Sequence, residues 1–168
     1  MRGVRKSFGG LILFCVAIAL AALPQHAALR SHQQSMPGMD TSQSGQNEPV
    51  PAFHSQVPKE PLPATMNPDQ FSNPVVQNAY RVAALSKKVL YQQPCYCHCD
   101  RSQGHGSLLD CFVSKHGAAC NVCIDESFYS YEQSKKGKTA AQIREGIKRG
   151  DWQSVDISKY ERPLAAKP

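Results

Sequence analysis

The sequence PCYCHCDRSQGHGSLLDCF, from Pro94 to Phe112, places three cysteines at alternate positions near its start. In an extended segment, residues two apart project from the same face, with their Cα atoms about 6.6 Å apart. The sulfurs of Cys95, Cys97 and Cys99 would therefore point to one centre. Ordinary core packing does not call for this pattern, so we expect the fold to be organised around these thiols.

Two further cysteines follow Cys111 in the sequence KHGAACNVC, which ends at Cys123. Cys120 and Cys123 lie one turn apart at a predicted helix start, where the helix dipole and free N–H groups stabilise the thiolate that binds metal. Three of the six histidines of the chain lie among these cysteines. The candidate metal ligands are Cys95, Cys97, Cys99, Cys111, Cys120, Cys123, His98, His105 and His116.

One helix is predicted before the cysteine-rich stretch and a second is predicted to begin inside it. The first has Asn73 as its N-cap and Pro74 at its first position, and it should stop near Tyr91. The second should begin near Cys120. Its apolar stripe comprises Cys120, Cys123, Ile124, Phe128 and Tyr131.

A third helix is predicted after Gly137, which closes the second. Thr139 and Gln142 have the spacing of a capping box, and the helix should end at Gly150 with Ile143 and Ile147 turned inward. The predicted fold class is therefore mainly α, a small three-helix domain organised around a cysteine-rich loop. We assign this domain to residues 71–153 and a C-terminal tail to residues 154–168.

The first 27 residues have the pattern of an export signal. Arg2, Arg5 and Lys6 precede an apolar run of 13 residues. A membrane-spanning helix needs about 20 such residues, whereas the apolar part of a signal peptide needs only about 7 to 15. We expect an exported protein, periplasmic, secreted or held in the cell envelope. An uncleaved signal anchor is the alternative, and only in that case would the chain contact a membrane.

Residues 28–70 are predicted to form a disordered linker, the N-terminal tether of the domain. The segment is rich in Gln, Ser and Pro and has few large apolar side chains to offset the entropy of ordering. His32, Met36 and Met39 lie in it, and the sequence MPGMD is similar to the methionine-rich tails of exported copper proteins.

Net charge and cysteine content limit the kinds of function that are expected of this chain. The formal net charge of +6 falls to about +3 without the signal, because three of the 19 Lys and Arg residues lie there and none of the 13 Asp and Glu residues does. This charge is mild and scattered, so nucleic acid is not an expected partner. Of the seven cysteines, the six outside the signal lie within 29 residues of a chain expected outside the reducing cytosol.

Two interpretations other than a metal site remain open. Three disulfides could join the cysteines at 95, 97 and 99 to those at 111, 120 and 123, giving a stapled structural or interaction domain with no metal. Alternatively, Cys120 and Cys123 form the C-x-x-C of a thiol–disulfide oxidoreductase. No strand is predicted before this motif, as such enzymes require, so we expect no enzymatic activity.

The segments PCYCHCD, GHGSLLDCF, HGAACNVCIDE and KTAAQIREGI, taken in order, resemble the family of exported bacterial proteins named for its PCYCGC motif. The resemblance extends over about residues 71–152. The glycine of the motif is His98 here, a change that either adds a ligand or occupies a turn that the family makes with glycine. The resemblance implies a shared cysteine site and favours metal binding over disulfides.

The sequence therefore predicts an exported metal-binding protein with a six-cysteine site. Soft thiolate and thioether ligands favour copper(I), with zinc as the alternative metal. We expect a role in metal storage, delivery or sensing. The expected partners are the metal ion and another exported metal-handling protein.

Overall fold

The computed structural model of the protein describes residues 48–164, and over this range the chain is helical with no strand. The helices are α1 (Pro74–Leu85), α2 (Lys87–Leu90), α3 (Cys99–Ser102), α4 (Asp110–Val113), α5 (Asn121–Lys135) and α6 (Ala140–Lys148). Four short 3₁₀ segments complete the structure: Pro68–Gln70, Lys115–Ala119, Asp151–Ser154 and Ile157–Tyr160. The prediction of a mainly α fold is confirmed. The predicted signal, the first part of the predicted linker and the last four residues lie outside the described range.

None of the helices between residues 48 and 164 is long and apolar enough to cross a bilayer.

The first predicted helix begins as expected but is divided in two. The Asn73 side chain accepts hydrogen bonds from the backbone N–H groups of Val75 at 2.8 Å and Val76 at 3.4 Å, and Pro74 is the first helical residue. Ser86 leaves the helical conformation, with φ −120° and ψ 20°. The chain therefore changes direction there, and α2 continues as a separate turn of helix up to the cysteine-rich stretch.

Helix α5 is the central element and packs against α1, α2 and α6. Its predicted stripe is buried at Cys123, Ile124 and Phe128, whereas Cys120 and Tyr131 are half-buried. The helix also buries polar residues on its other sides, including Glu126 and Ser130. Burial on several sides follows from its position between α1 and α2 on one side and α6 on another.

Helix α6 begins with the predicted capping box. The Thr139 hydroxyl accepts from the Gln142 backbone N–H at 3.2 Å, and the Gln142 side chain accepts from the Thr139 backbone N–H at 2.9 Å. Ile143 and Ile147 are buried against Tyr129 of α5. Gly146 lies beside the same tyrosine, and a Cβ atom at this position would overlap its hydroxyl. The glycine therefore allows the close approach of α5 and α6.

Residues 48–70, the second part of the predicted disordered linker, contact the helical domain. The Met66 backbone N–H donates to the Phe112 carbonyl at 2.9 Å. The His54 ring stacks on Tyr91, with centroids 3.9 Å apart, and Pro51 is buried. The structure thus differs from the expectation for this segment. Several prolines lower the entropy that such an extended segment loses on ordering, so a few specific contacts suffice to hold it.

The predicted C-terminal tail also packs on the domain as far as it is described. The Tyr160 ring stacks on Phe128, with centroids 3.5 Å apart. The buried Asn78 side chain donates to the carbonyls of Tyr160 at 2.8 Å and Arg162 at 2.7 Å, and it accepts from the Leu164 N–H at 3.1 Å. One side chain of α1 therefore holds three alternate residues of the tail through their backbone groups.

Candidate metal centre

The six predicted cysteine ligands converge because the loop between α2 and α5 folds back on itself through two short helices. Cys95 and Cys97 precede α3, Cys99 is its first residue, and Cys111 lies in α4. Cys120 is the N-cap of α5. The sixth, Cys123, lies in the first turn of α5 and is fully buried.

Cys95, Cys97 and Cys123 form the tightest set of sulfurs. The Sγ atoms of Cys95 and Cys97 are 3.3 Å apart, those of Cys95 and Cys123 are 3.4 Å apart, and those of Cys97 and Cys123 are 3.6 Å apart. The sulfur of Cys123 on α5 thus meets two sulfurs of the alternating motif. The motif itself is not extended as expected, because the His98 N–H donates to the Cys95 carbonyl at 3.1 Å in a turn and Cys99 begins a helix.

Cys99 and Cys111 form a neighbouring pair, with Sγ atoms 3.4 Å apart. The Nδ1 atom of His105 lies 3.2 Å from the sulfur of Cys99 and 3.4 Å from that of Cys111. One ring nitrogen of His105 therefore contacts two thiols.

His116 and Cys120 complete the arrangement on the side of Cys97. The Nε2 atom of His116 lies 3.6 Å from the Cys97 sulfur. The ligand atoms form three overlapping groups of four, within each of which every atom lies within 4.8 Å of every other. The groups are Cys95, Cys97, Cys111 and Cys123; Cys97, His116, Cys120 and Cys123; and Cys97, Cys99, Cys111 and His116.

Cys97 belongs to all three groups, so its sulfur lies within 4.8 Å of the other five sulfurs and of a His116 nitrogen. All six cysteines are free. A disulfide bond requires about 2.05 Å, whereas sulfurs around a tetrahedral ion with bonds of about 2.3 Å lie about 3.8 Å apart. The observed separations are much closer to the second value, and the cluster could hold a metal ion.

The thiols differ in proton affinity because they hydrogen-bond to one another. Hydrogen bonds from Cys111, then from Cys123 and Cys95, lower the pKa of Cys97 well below its usual value. The same interactions raise the pKa of Cys111, with Cys123 the largest cause. The central sulfur is therefore the preferred site of negative charge in the metal-free cluster, and metal binding would displace protons from the surrounding thiols.

The environment of His105 favours the neutral form that a metal ligand requires. Burial is the main cause that lowers its pKa, and the neighbouring His116 adds to the effect. The two rings meet edge to face, with centroids 5.1 Å apart. The structure therefore places His105 and His116 against the cysteine sulfurs.

His98 occupies a different position. Its backbone is left-handed, with φ 56° and ψ 32°, and among the described residues it is the one non-glycine with positive φ. Its Nε2 atom lies 3.2 Å from a carboxylate oxygen of Glu48, and His98 is in none of the three ligand groups. Glycine adopts this conformation at no steric cost. The structure thus gives His98 a turn position rather than a place among the sulfurs.

Glu126 is a buried acid that supports the loop. Its Oε1 accepts from the backbone N–H of Tyr96 at 2.9 Å, between the first two cysteines, while its Oε2 has no partner. Burial raises the pKa of Glu126 to about 8. The sequence does not identify Glu126 as part of this region, because its burial depends on how α5 packs.

Comparison with known protein families gives one match. A family described as "Protein of unknown function with PCYCGC motif" matches residues 59–154, more than half of the chain. The matched region contains the six cysteines and the helices α1 to α6. Neither the curated proteins nor the solved structures gave a match.

Proposed function

The chain belongs to the PCYCGC-motif family, and from the geometry of its cysteines we propose that it is an exported copper(I)-binding protein. The observation that carries this proposal is the position of Cys97, whose sulfur lies within 4.8 Å of five other sulfurs and a histidine nitrogen. A thiolate shared in this way suits a cluster of several soft ions. We propose storage or delivery of copper(I), or sensing of it, as the role.

Copper(I) is favoured by the number and type of the donors. Soft thiolate ligands select copper(I) and zinc from the common metals. A structural zinc ion takes four ligands, whereas this cluster offers six thiols and two histidines in one small volume. Ligands in excess of four, grouped around one shared sulfur, favour more than one ion.

Zinc is the second candidate. Cys95, Cys97, Cys111 and Cys123 bring four sulfurs within 4.8 Å of one another, which is the composition of a Cys₄ zinc site. In that case Cys99, Cys120 and the histidines would surround the ion without binding it.

We propose a binding role rather than catalysis. The C-x-x-C of a thiol–disulfide oxidoreductase exposes its first thiol and uses the second to resolve a mixed disulfide. Here both Cys120 and Cys123 belong to a larger group of ligands, and the residues before α5 form a 3₁₀ segment instead of a strand.

Metal analysis and thiol counting on the same sample test the proposal. The full chain would be purified without oxygen, its copper and zinc measured, and its cysteines alkylated before and after a strong copper(I) chelator. We expect more than one copper(I) per chain and protection of the six clustered cysteines until the chelator is added. Three intact disulfides in metal-replete protein would contradict the proposal. One tightly held zinc ion per chain would instead support zinc, the second candidate, over copper(I).

A further inference from the structure

We propose that the cluster exchanges copper(I) through one face, formed by Cys97, His116 and Cys120, with a carrier that presents the ion on a thiolate. We call these three residues the exchange face. The inference rests on the proposed function and adds the chemical class of the partner and the route of the ion.

Burial separates the six sulfurs into two classes. Cys95 and Cys99 are 2% exposed, and Cys111 and Cys123 are fully buried. Cys97 and Cys120 are half-buried, as is His116 beside them. Cys97 and Cys120 are therefore the two cysteines of the cluster that retain surface on the outside of the domain, where an incoming ligand arrives.

The other side of the cluster is covered by residues 48–54, which we call the strap. At its start, the Glu48 carboxylate contacts the Arg101 guanidinium at 2.7 Å and His98 Nε2 at 3.2 Å. At its middle, the Ala52 backbone N–H donates to Asp100 Oδ2 at 3.1 Å. The strap is thus attached to His98, Asp100 and Arg101, which lie in or next to the first turn of α3, the helix that begins at Cys99.

The strap closes the space next to the buried sulfurs. A narrow gap between the strap and the loop is lined by Pro51, Ala52, Cys95, Cys99, Asp100, His105 and Ser107. Pro51 is itself buried, and His54 stacks on Tyr91 beyond it. Neither Cys97 nor Cys120 lines this gap. Metal cannot leave past the strap unless the strap detaches, so the exchange face is the open route.

Transfer at this face is a ligand substitution. The Cys120 sulfur loses its proton and forms a bond to the carried copper(I), the bond from copper to one carrier thiolate breaks, and that thiolate takes up a proton. The ion remains copper(I) throughout, so no oxidant or reductant is needed. Cys97 and His116 then replace the remaining carrier ligands, and Cys97 passes the ion to the buried sulfurs that surround it.

Alkylation of the metal-free, reduced chain tests the accessibility on which this route depends. Buried thiols react only through local opening, so Cys97 and Cys120 should react at least about tenfold faster than the other four. The sites would be identified by mass spectrometry of peptides after short exposure at one pH. Equal rates at Cys95 or Cys99 would overturn the inference, whether or not the protein binds copper.

Stopped-flow transfer tests the route itself. Copper(I) would be supplied either as its glutathione complex or on a C-x-x-C peptide, to compare a small thiol with a protein carrier. Cys120→Ser should slow uptake by about 10- to 100-fold, the range typical of changes around a metal site. Cys99→Ser makes the same chemical change at a buried sulfur. It should weaken retention of copper(I), but it should slow uptake less than Cys120→Ser does.

The two variants also separate this inference from the proposed function. If the wild-type chain takes up no copper(I), the proposed function fails. If the wild-type chain does take up copper(I), two results would show that the exchange face alone is wrong. In one, Cys120→Ser takes up copper(I) as fast as wild type; in the other, Cys120→Ser slows uptake no more than Cys99→Ser does. Circular dichroism would confirm that each variant is folded, and the alkylation rates on wild-type protein need no variant.

Discussion

The Cys97 sulfur lies 3.6 Å from His116 Nε2, although the two residues are 19 positions apart in the chain. This contact joins the alternating cysteine motif to the 3₁₀ segment before α5, the largest helix of the domain. Cys97 is also the one residue common to all three groups of four candidate ligands.

Cys97→Ser should therefore reduce copper(I) binding more than any other single cysteine change. Replacing the shared sulfur removes a ligand from every group, whereas His116→Ala removes one nitrogen and leaves all six thiols. Copper per chain, measured against a competing chelator, compares the two variants. A Cys97→Ser protein with wild-type stoichiometry and affinity would show that the sulfur is not shared.

His98→Gly should leave metal binding unchanged and keep or increase stability. Glycine relieves the left-handed backbone at this position, which costs other residues about 1–2 kcal/mol, but the change also removes the contact with Glu48. His98→Val is the matched control and should destabilise the domain, because a β-branched residue tolerates positive φ poorly. Thermal unfolding of the metal-free forms measures both. A large loss of copper in His98→Gly would instead identify His98 as a ligand.

Asn78→Ala should release the C-terminal segment. The change removes three hydrogen bonds and leaves the carbonyls of Tyr160 and Arg162 without a donor, a loss of about 1–3 kcal/mol. Hydrogen exchange and proteolysis after residue 156 should report the release before global unfolding. Asp69→Ala, which removes an exposed ion pair with Arg81 at 3.2 Å, should change stability by less than about 1 kcal/mol.

Glu126 should make the metal-free domain less stable as pH rises. Its pKa is about 8 in the folded chain and 4.5 ordinarily, so the folded state holds the proton between these values while the unfolded state loses it. The stabilisation is complete below about pH 4.5 and is lost at about 1.4 kcal/mol per pH unit up to about pH 8. In Glu126→Gln this contribution should disappear. Denaturant unfolding of both reduced proteins from pH 5 to 8 measures the difference, and parallel slopes would contradict the assignment.

Deletions should separate the two parts of the predicted linker. Removing residues 28–47, whose composition offers little apolar surface, should leave the unfolding temperature unchanged. Removing residues 28–66 should lower it, because the contacts of Pro51, His54 and Met66 are then lost. Equal unfolding temperatures for the two deletions would show that residues 48–66 contribute nothing to stability.

Local signals made most of the helices predictable from the sequence. The N-caps at Asn73 and Thr139 and the glycine at position 137 act within a single turn, so the starts of α1 and α6 and the end of α5 agree with expectation. The break at Ser86 and the packing of residues 48–70 and 154–164 depend on distant partners such as Tyr91 and Asn78. No local pattern in the sequence identifies those partners.

The convergence of the cysteines was predictable in part. Helical spacing limits where the sulfurs of Cys120 and Cys123 point, but the alternating motif forms a turn at Cys95–His98 instead of the expected extended segment. The different positions of the individual cysteines within the cluster could not be predicted. The central position of Cys97 and the partial exposure of Cys120 follow from how α3, α4 and the 3₁₀ segment fold over α5. The left-handed backbone of His98 explains why histidine can replace the glycine of the family motif without joining the sulfurs.

The sulfurs of Cys95 and Cys123 meet across 28 positions of the chain. An ion held by both would close that length of chain into a loop, and a permanent cross-link of this span removes about 3–4 kcal/mol of conformational freedom from the unfolded chain. The mechanical resistance of the domain should then depend on its cargo. A loaded molecule pulled from its two ends would yield at a higher force than an empty one, and the length of chain released at rupture would reveal which ligands had held the ion.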